Sequence, residues 1–296
     1  MREKVFFSRE ITAEKVLELY KCVGKNLTGS VAVKVHSGEK GNQNFLHPEF
    51  WKPIVDYVDG TVVECNTAYP GERDTTERHK QLLIDHGWHK YFSVDLLDAQ
   101  DPDLVLDIPN GRRIQKNYVG KDIANYDSLL VLSHFKGHPM GGYGGALKQL
   151  SIGLASSYGK KYIHGSGDTR DYFKADHDSF LESMADAASS IIEYFQGNIV
   201  YVNVMKNMSV DCDCCAVAED PCIADIGILV STDPVAIDQA CIDLVYACTD
   251  PGKAHFLKRV ESRNGVHTIE AAAEIGCGTR EYELIELNRK DDDSAS

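Results

Sequence analysis

The sequence predicts an α/β fold: a largely parallel or mixed sheet with helices on both faces. Strand-like apolar runs and amphipathic helical periods alternate along nearly the whole 296 residues. Two of the runs, Ser128–Leu132 (SLLVL) and Asn198–Met205 (NIVYVNVM), have the pattern of buried strands. Polar loops follow several strands, at the ends where open α/β sheets place ligands. No internal repeat, low-complexity linker or break in composition divides the chain. Residues 1–290 are therefore expected to form a single α/β domain, or two lobes around a cleft, and residues 291–296 a polar tail.

Lys4–Phe7 opens the chain as a short strand. Ala13–Cys22 follows as a helix, with Thr12 as its cap and Val16, Leu17 and Tyr20 on one side. Ser30–Val35 (SVAVKV) is a strand, and Ser37–Asn42 is the glycine-containing loop after it. That loop lacks the G-x-x-x-x-G-K-[ST] phosphate-loop spacing, so no nucleotide is assigned to it. His47–Val58 reads as a helix with Pro48 near its start, Thr61–Cys65 (TVVEC) as a strand, and Asn66–Arg73 as a polar loop. Asp74 and Glu77 stand at capping-box spacing, heading a helix that carries His79 and stops near Gly87.

Phe92–Leu97 and Leu104–Ile108 are strands on either side of an acidic turn. Ser128–Leu132 runs into Ser133–Met140 and a glycine-rich bend, Gly141–Gly145, which leads into a helix through Lys148 to Ala155. Asp178–Phe195 is a long amphipathic helix ended by Gly197. After the buried run at 198–205 and a cysteine-dense loop comes the strand Ile226–Val230. Asp233 caps, and Pro234 opens, a helix to Ala247. His267–Ile275 is a helix and Tyr282–Leu287 the last strand.

The net charge of −14 argues against a nucleic-acid partner, which needs a basic surface. No secretory signal and no apolar stretch of bilayer-spanning length is found, so the expected compartment is the cytoplasm, with no membrane partner. Thiols stay reduced there, and clustered cysteines then point to metal, iron–sulfur or redox chemistry rather than to disulfides.

Three constellations carry chemistry. Four of the nine cysteines (Cys212, Cys214, Cys215 and Cys222) fall in one polar loop between two apolar strands. Thiolates suit zinc and iron–sulfur clusters. In an extended backbone Cys212 and only one of the adjacent pair Cys214 and Cys215 would face the same metal. A redox thiol or an inert buried turn are the competing readings. The second constellation is Lys136-Gly137-His138, the glycine-rich bend and Lys148. Glycines let the backbone approach a ligand, the helix N-terminus favours an anion, and Lys and His supply charge or acid–base function. Its plainer reading is a tight turn with a surface lysine. The third is Asn66, Thr67, Tyr69, Arg73 and His79, where Arg73 can fork a carboxylate and His79 can act as ligand or base, or merely sit satisfied on its helix. Cys241 and Cys248 share a helix face and read as core; His164–Asp168 is a further polar loop that can line a cleft.

Cys212-Asp-Cys-Cys215, Ala224–Leu229 and Asp233-Pro-Val-Ala-Ile-Asp238 resemble the signature of the DUF362 family, a domain of unknown function with many members described as iron–sulfur proteins. Lys136-x-His138 with Gly145-Ala-Leu-Lys148, and Asn66–Tyr69 with Arg73 and His79, are similar to further family motifs, over roughly Ser30 to Val245. The paired ferredoxin-type cysteine motifs that many members append are missing, and Cys222 departs from the family pattern. A more distant similarity links His138 and Lys148, with the glycines between, to the cofactor-holding segment of nickel-pincer lactate racemases.

The resemblance implies a metal- or iron–sulfur-binding protein, an oxidoreductase acting on a small anionic substrate with a redox partner protein. Cys212, Cys214, Cys215 and Cys222 would hold the cluster, or zinc or another transition metal. Lys136, His138 and Lys148 would be catalytic, and Asn66, Tyr69, Arg73 and His79 would bind substrate. A metal-dependent hydroxy-acid isomerase and a non-catalytic metal-binding or assembly protein are the alternatives.

Overall fold

The computed structural model describes residues 2–287, so the polar tail expected at 291–296 lies outside the described residues. The N-terminal half runs β1 (Glu3–Ser8), α1 (Ala13–Val23), β2 (Val31–Lys34), α2 (Pro48–Tyr57), β3 (Thr61–Glu64), α3 (Thr76–Asp85), α4 (Trp88–Tyr91), β4 (Val94–Leu96), β5 (Leu104–Asp107) and β6 (Lys116–Val119). Next come β7 (Ser128–His134), β8 (Lys136–His138), β9 (Gly142–Gly144), α5 (Ala146–Ser151), α6 (Ser157–His164) and α7 (His177–Tyr194). The chain continues with β10 (Ile199–Met205), β11 (Gly227–Ser231), α8 (Pro234–Ala247), α9 (Lys253–Ser262), α10 (His267–Glu274) and β12 (Tyr282–Glu286).

Eight strands form one sheet in the order β12-β1-β11-β10-β7-β2-β3-β4. β11 alone runs against the other seven: it is antiparallel to both β1 and β10, while β1–β12, β10–β7, β7–β2, β2–β3 and β3–β4 are parallel. The sheet is thus mixed but largely parallel, as expected. Its central strands are buried on both faces. Along β7, Leu129 and Val131 enter one core with α5, α7 and α8, while Leu130 and Leu132 enter the other with α1 and α2. This two-sided burial is why the strand reads as a continuous apolar run. No helix among the described residues is long and apolar enough to cross a membrane.

The helix ends follow local chemistry. Thr12 Oγ1 accepts from Lys15 N–H, and Asp233 Oδ1 accepts from Val235 and Ala236 N–H, with Pro234 opening α8. At α3 the cap is Thr75, whose Oγ1 accepts from Arg78 N–H, not Asp74. Asp74 is left to pair with the Arg78 guanidinium one turn on. Six elements go beyond the sequence reading: α4, β6, the two strands of the β8–β9 hairpin, α6 and α9. β6 pairs only with β5, away from the main sheet, and β8–β9 is three residues a side and glycine-rich, so neither carries a strand-length apolar pattern.

Candidate metal centre and cation-lined cavity

Because β2, β3, β7 and β10 run in one direction, their carboxyl ends share one edge of the sheet. The loops after them meet there, as open α/β folds favour. The cysteine loop between β10 and β11 is pinned at several points. Gly137 N–H of β8 donates to Ser209 O at 2.8 Å, and a Cβ on Gly137 would lie 2.3 Å from Val210 O. Asn42 Nδ2 donates to Cys215 O at 2.9 Å. Asp213, buried between two of the cysteines, accepts from His134 Nδ1 at 3.0 Å and from Lys136 Nζ at 3.0 Å. Its backbone carbonyl accepts from Glu39 N–H at 2.8 Å. Burial opposes charge on Asp213, but His134 and Lys136 outweigh it and hold the carboxyl well below its usual range. Burial likewise opposes the Lys136 ammonium, yet Asp213 and Cys212 raise its pKa above the ordinary lysine value.

This anchoring brings Cys212, Cys214 and His138 together, with one possible ligand atom from each within 4.8 Å of the others. Alternate cysteines converge, as the spacing suggested, but through a turn in which Cys215 N–H donates to Cys212 O at 2.9 Å. Cys214 N–H points at Cys212 Sγ, 3.4 Å away. Cys215 is half-buried beside Cys214 and outside the three-residue group. Cys222 is also outside it, with its thiol toward Met208 O at 3.6 Å. Two thiols and an imidazole form a donor set for soft or borderline metals such as zinc, copper or iron, so the residues fit a metal ion.

Cys214 and His138 also line a cavity of about 80 Å³. Lys34, Arg73, Lys148 and Lys160 face it, and Tyr69, Ile152, Tyr172 and Phe173 supply its apolar walls. Most of the cations are already engaged. Lys34 pairs with Glu64 at 2.6 Å, Arg73 pairs with Glu39 at 3.1 Å and donates to Tyr69 OH at 2.9 Å, and Lys160 donates to Ala155 O at 2.6 Å. Burial opposes the charge of Glu64, yet Lys34 and the neighbouring cations hold its pKa far below the carboxylate range. Among the described residues, Lys148 is the lysine on this cavity wall without a hydrogen-bond or ion-pair partner. Lys136 lies next door, in a smaller pocket shared with His36, Lys148 and Gln149.

Burial holds four histidines of this region neutral. Burial lowers the pKa of His138 to about 4, helped by the nearby Lys148 charge and opposed by Cys212. His36 is lowered to about 4 by burial and by Arg73, again opposed by Cys212. Burial also takes His164, at the end of α6 on the cavity wall, to about 4. His79 stands behind the wall, its Nε2 3.3 Å from Ser37 Oγ and its Nδ1 3.2 Å from Asn66 Oδ1, with a pKa lowered by burial to about 3.

Two expectations about the glycine bend change. The N-terminus of α5 is occupied by the chain's own anion: Ala146 and Leu147 N–H donate to Asp238 at 2.8 and 3.0 Å. Gly145 is small because that carboxylate sits against it, with a Cβ there 2.4 Å from Asp238 Oδ1. Gly137 and Gly145 thus permit contacts within the protein rather than approach of a ligand. Arg73, expected to fork a substrate carboxylate, is held by Glu39 and Tyr69. Sequence reasoning also passed over Lys34, His36, Glu64, Lys160 and the His134–Asp213 pair. A signal existed for two of them: Lys34 and Glu64 are charges inside otherwise apolar strands, VAVK and TVVE, where only a buried pair makes sense.

Residues 31–243 match the family described as a domain of unknown function, DUF362. No curated protein matches the chain. Among solved structures it is similar to the lactate racemase apoprotein from Thermoanaerobacterium thermosaccharolyticum, with 13% identity and a TM-score of 0.44, over 69% of this chain and 51% of that one. It is also similar to a structural-genomics target protein from Thermotoga maritima, with 12% identity and a TM-score of 0.44, over 89% of this chain and 59% of that one. The chain therefore spans only about half to three-fifths of the length of these proteins. Likenesses this distant bear on no residue of the site.

Proposed function

The chain belongs to the DUF362 family, and from its own site we propose that it is a metal-dependent enzyme acting on a small anionic substrate. Cys212 and Cys214 hold a thiophilic metal at the wall of the cavity, and Lys148 binds the anion. One observation carries this reading: the Cys212–Cys214–His138 group meets, through Cys214 and His138, the same partly closed cavity as the unpartnered Lys148 ammonium. A non-catalytic metal-binding or assembly protein predicts thiols without a closed pocket near Lys148, so the cavity beside Cys214 favours the enzyme reading. A metal held there would supply Lewis acidity, and iron would add electron transfer, making the protein an oxidoreductase. An iron–sulfur cluster needs about four protein ligands, more than the grouped residues offer, so a mononuclear ion fits them more directly.

In this reading the side chains divide the work. Lys148 fixes and polarises the anion, and Tyr172, Phe173 and Ile152 exclude water around it. Neutral His138 is placed to exchange a proton with a substrate near Cys214. Lys136 acts through Asp213, by fixing the thiol loop. Arg73, Tyr69, Asn66 and His79 shape the far wall through their own network.

The test is calorimetric binding of small carboxylates and of inorganic phosphate, comparing the wild type with Lys148→Met. A charge-assisted hydrogen bond contributes about 1.5–3 kcal/mol, so Lys148→Met should weaken the bound anion by roughly tenfold or more. Equal binding by wild type and variant, or no binding of any such anion, would remove the substrate half of the proposal.

A further inference from the structure

The charges around the cavity do not cancel, and the surplus bears on what fills it. Lys34, Arg73, Lys148 and Lys160 line the cavity, and among the described residues Glu64 is the carboxylate that lines it with them. Lys34 pairs with Glu64 at 2.6 Å, and Arg73 pairs at 3.1 Å with Glu39, which lies outside the lining. Lys136 next door is balanced by Asp213. The histidines on the wall, His36, His138 and His164, are held neutral by burial and add no charge. In the metal reading two thiolates balance a divalent ion, so that centre leaves the balance unchanged. Two ammonium groups are left over, Lys148 and Lys160.

Lys160 is the more telling of the two. It stands in the first turn of α6 and is only 7% exposed. Its Nζ donates to Ala155 O at 2.6 Å, and among the described residues its other two N–H donors find no acceptor. The two acids at the head of α6 are bound elsewhere. Asp98 accepts from Asn66 N–H at 2.9 Å and from Ser157 N–H at 3.0 Å, and Asp103 accepts from Ser156 Oγ at 2.6 Å. Among the described residues no carboxylate pairs with Lys160. A lysine in water needs no partner, but a buried ammonium without a counter-ion is costly.

Resting on the anion-binding half of the proposed function, we infer that the cavity takes a dianion, with Lys148 and Lys160 each meeting one of its charges. A monoanion at Lys148 leaves the buried Lys160 uncompensated, whereas a dianion balances both. Such a ligand is either a phosphate monoester or a short dicarboxylate. The cavity of about 80 Å³ has room for several waters, and so for a ligand of several heavy atoms. Ile152, Tyr172 and Phe173 offer apolar surface to its uncharged part. In a chain of net charge −14 these cations are a local reversal of sign, which draws an anion inward.

Two matched pairs of anions test this by calorimetry on the whole chain, purified without oxygen. Succinate is compared with butyrate, and methyl phosphate with dimethyl phosphate, at about pH 8, where a phosphate monoester carries close to two charges. In one pair the dianion should bind about tenfold or more tightly than its monoanionic partner, the effect of one added charge-assisted hydrogen bond. The pair that shows the preference tells a dicarboxylate site from a phosphate site. Lys160→Met should abolish the preference. Without ligand, the same variant should leave the urea midpoint unchanged or raised, because it removes a buried charge that nothing balances. Monoanions bound as tightly as dianions, or a preference that survives in Lys160→Met, would overturn the inference while leaving the anion-binding reading intact. A marked fall in the midpoint would make Lys160 a structural cation and overturn it too. Binding of none of these anions by the wild type would overturn both.

Discussion

Replacing Asp213 by Asn tests the anchor of the cysteine loop. The Asp213 carboxylate is 1% exposed and lies 3.0 Å from both His134 Nδ1 and Lys136 Nζ. Asparagine keeps the shape and one acceptor but turns an NH₂ group toward one of two donors and removes the charge. Lys136, only 6% exposed, is left as a buried cation without its counter-ion. Breaking a buried ion pair by removing one partner costs about 3–5 kcal/mol, a large share of the roughly 5–15 kcal/mol that stabilises a typical domain. Urea unfolding at neutral pH should show that loss in the midpoint at unchanged slope. The double variant Asp213→Asn, Lys136→Met removes the orphaned cation and should recover about 0.5–3 kcal/mol, the usual coupling of contacting residues. The reasoning fails if Asp213→Asn costs less than about 1 kcal/mol, or if the double variant is simply the sum of the singles. Either result would mean that the cluster behaves like a solvated pair.

Three more outcomes follow from the same geometry. Stability should fall as pH drops from about 6.5 to 4, because His79 and His138, lowered to about 3 and about 4, refuse protons that the unfolded chain accepts. Each contributes a slope of up to about 1.4 kcal/mol per pH unit. Asp238, raised by burial to about 6, works in the opposite direction, as do Asp95, Asp103 and Asp233, also raised by burial, but four buried histidines lowered to about 3 or 4 stand against them. Urea midpoints across that range should therefore decline, and His79→Gln should flatten the decline; a level or rising profile would contradict the account. Gly137→Ala drives a Cβ against Val210 O and should cost about 1–3 kcal/mol while exposing Cys212 to a thiol reagent, read as a faster labelling rate; unchanged stability and labelling would show that β8 does not hold the loop. Lys34→Met should destabilise by about 3–5 kcal/mol by stranding Glu64, and Lys34→Met with Glu64→Gln should recover most of it in thermal unfolding.

Much of the fold was readable because its strands are apolar in ways only sheets explain. Ser128–His134 and Ile199–Met205 are buried at every position, so their runs could not be mistaken for loops. The β8–β9 hairpin was not readable, since Lys136-Gly137-His138 has no strand propensity and is held by the cysteine loop, far away in sequence. The site was half legible. Cys212, Cys214, His138 and Lys148 stand out by residue type, and the structure brings them to one place. Their partners were hidden because pairing is a tertiary fact. Nothing in the sequence couples Asp213 to His134, Arg73 to Glu39, or Asp238 to the head of α5, and those contacts decide which cations remain for a ligand.

The most direct measurement is the metal-to-protein ratio, with acid-labile sulfide, of the chain purified without oxygen, beside Cys212→Ala and Cys214→Ser. The account predicts stoichiometric metal without sulfide in the wild type and its loss in both variants. Metal-free wild-type protein, with Cys212 and Cys214 titrating as ordinary free thiols, would contradict it.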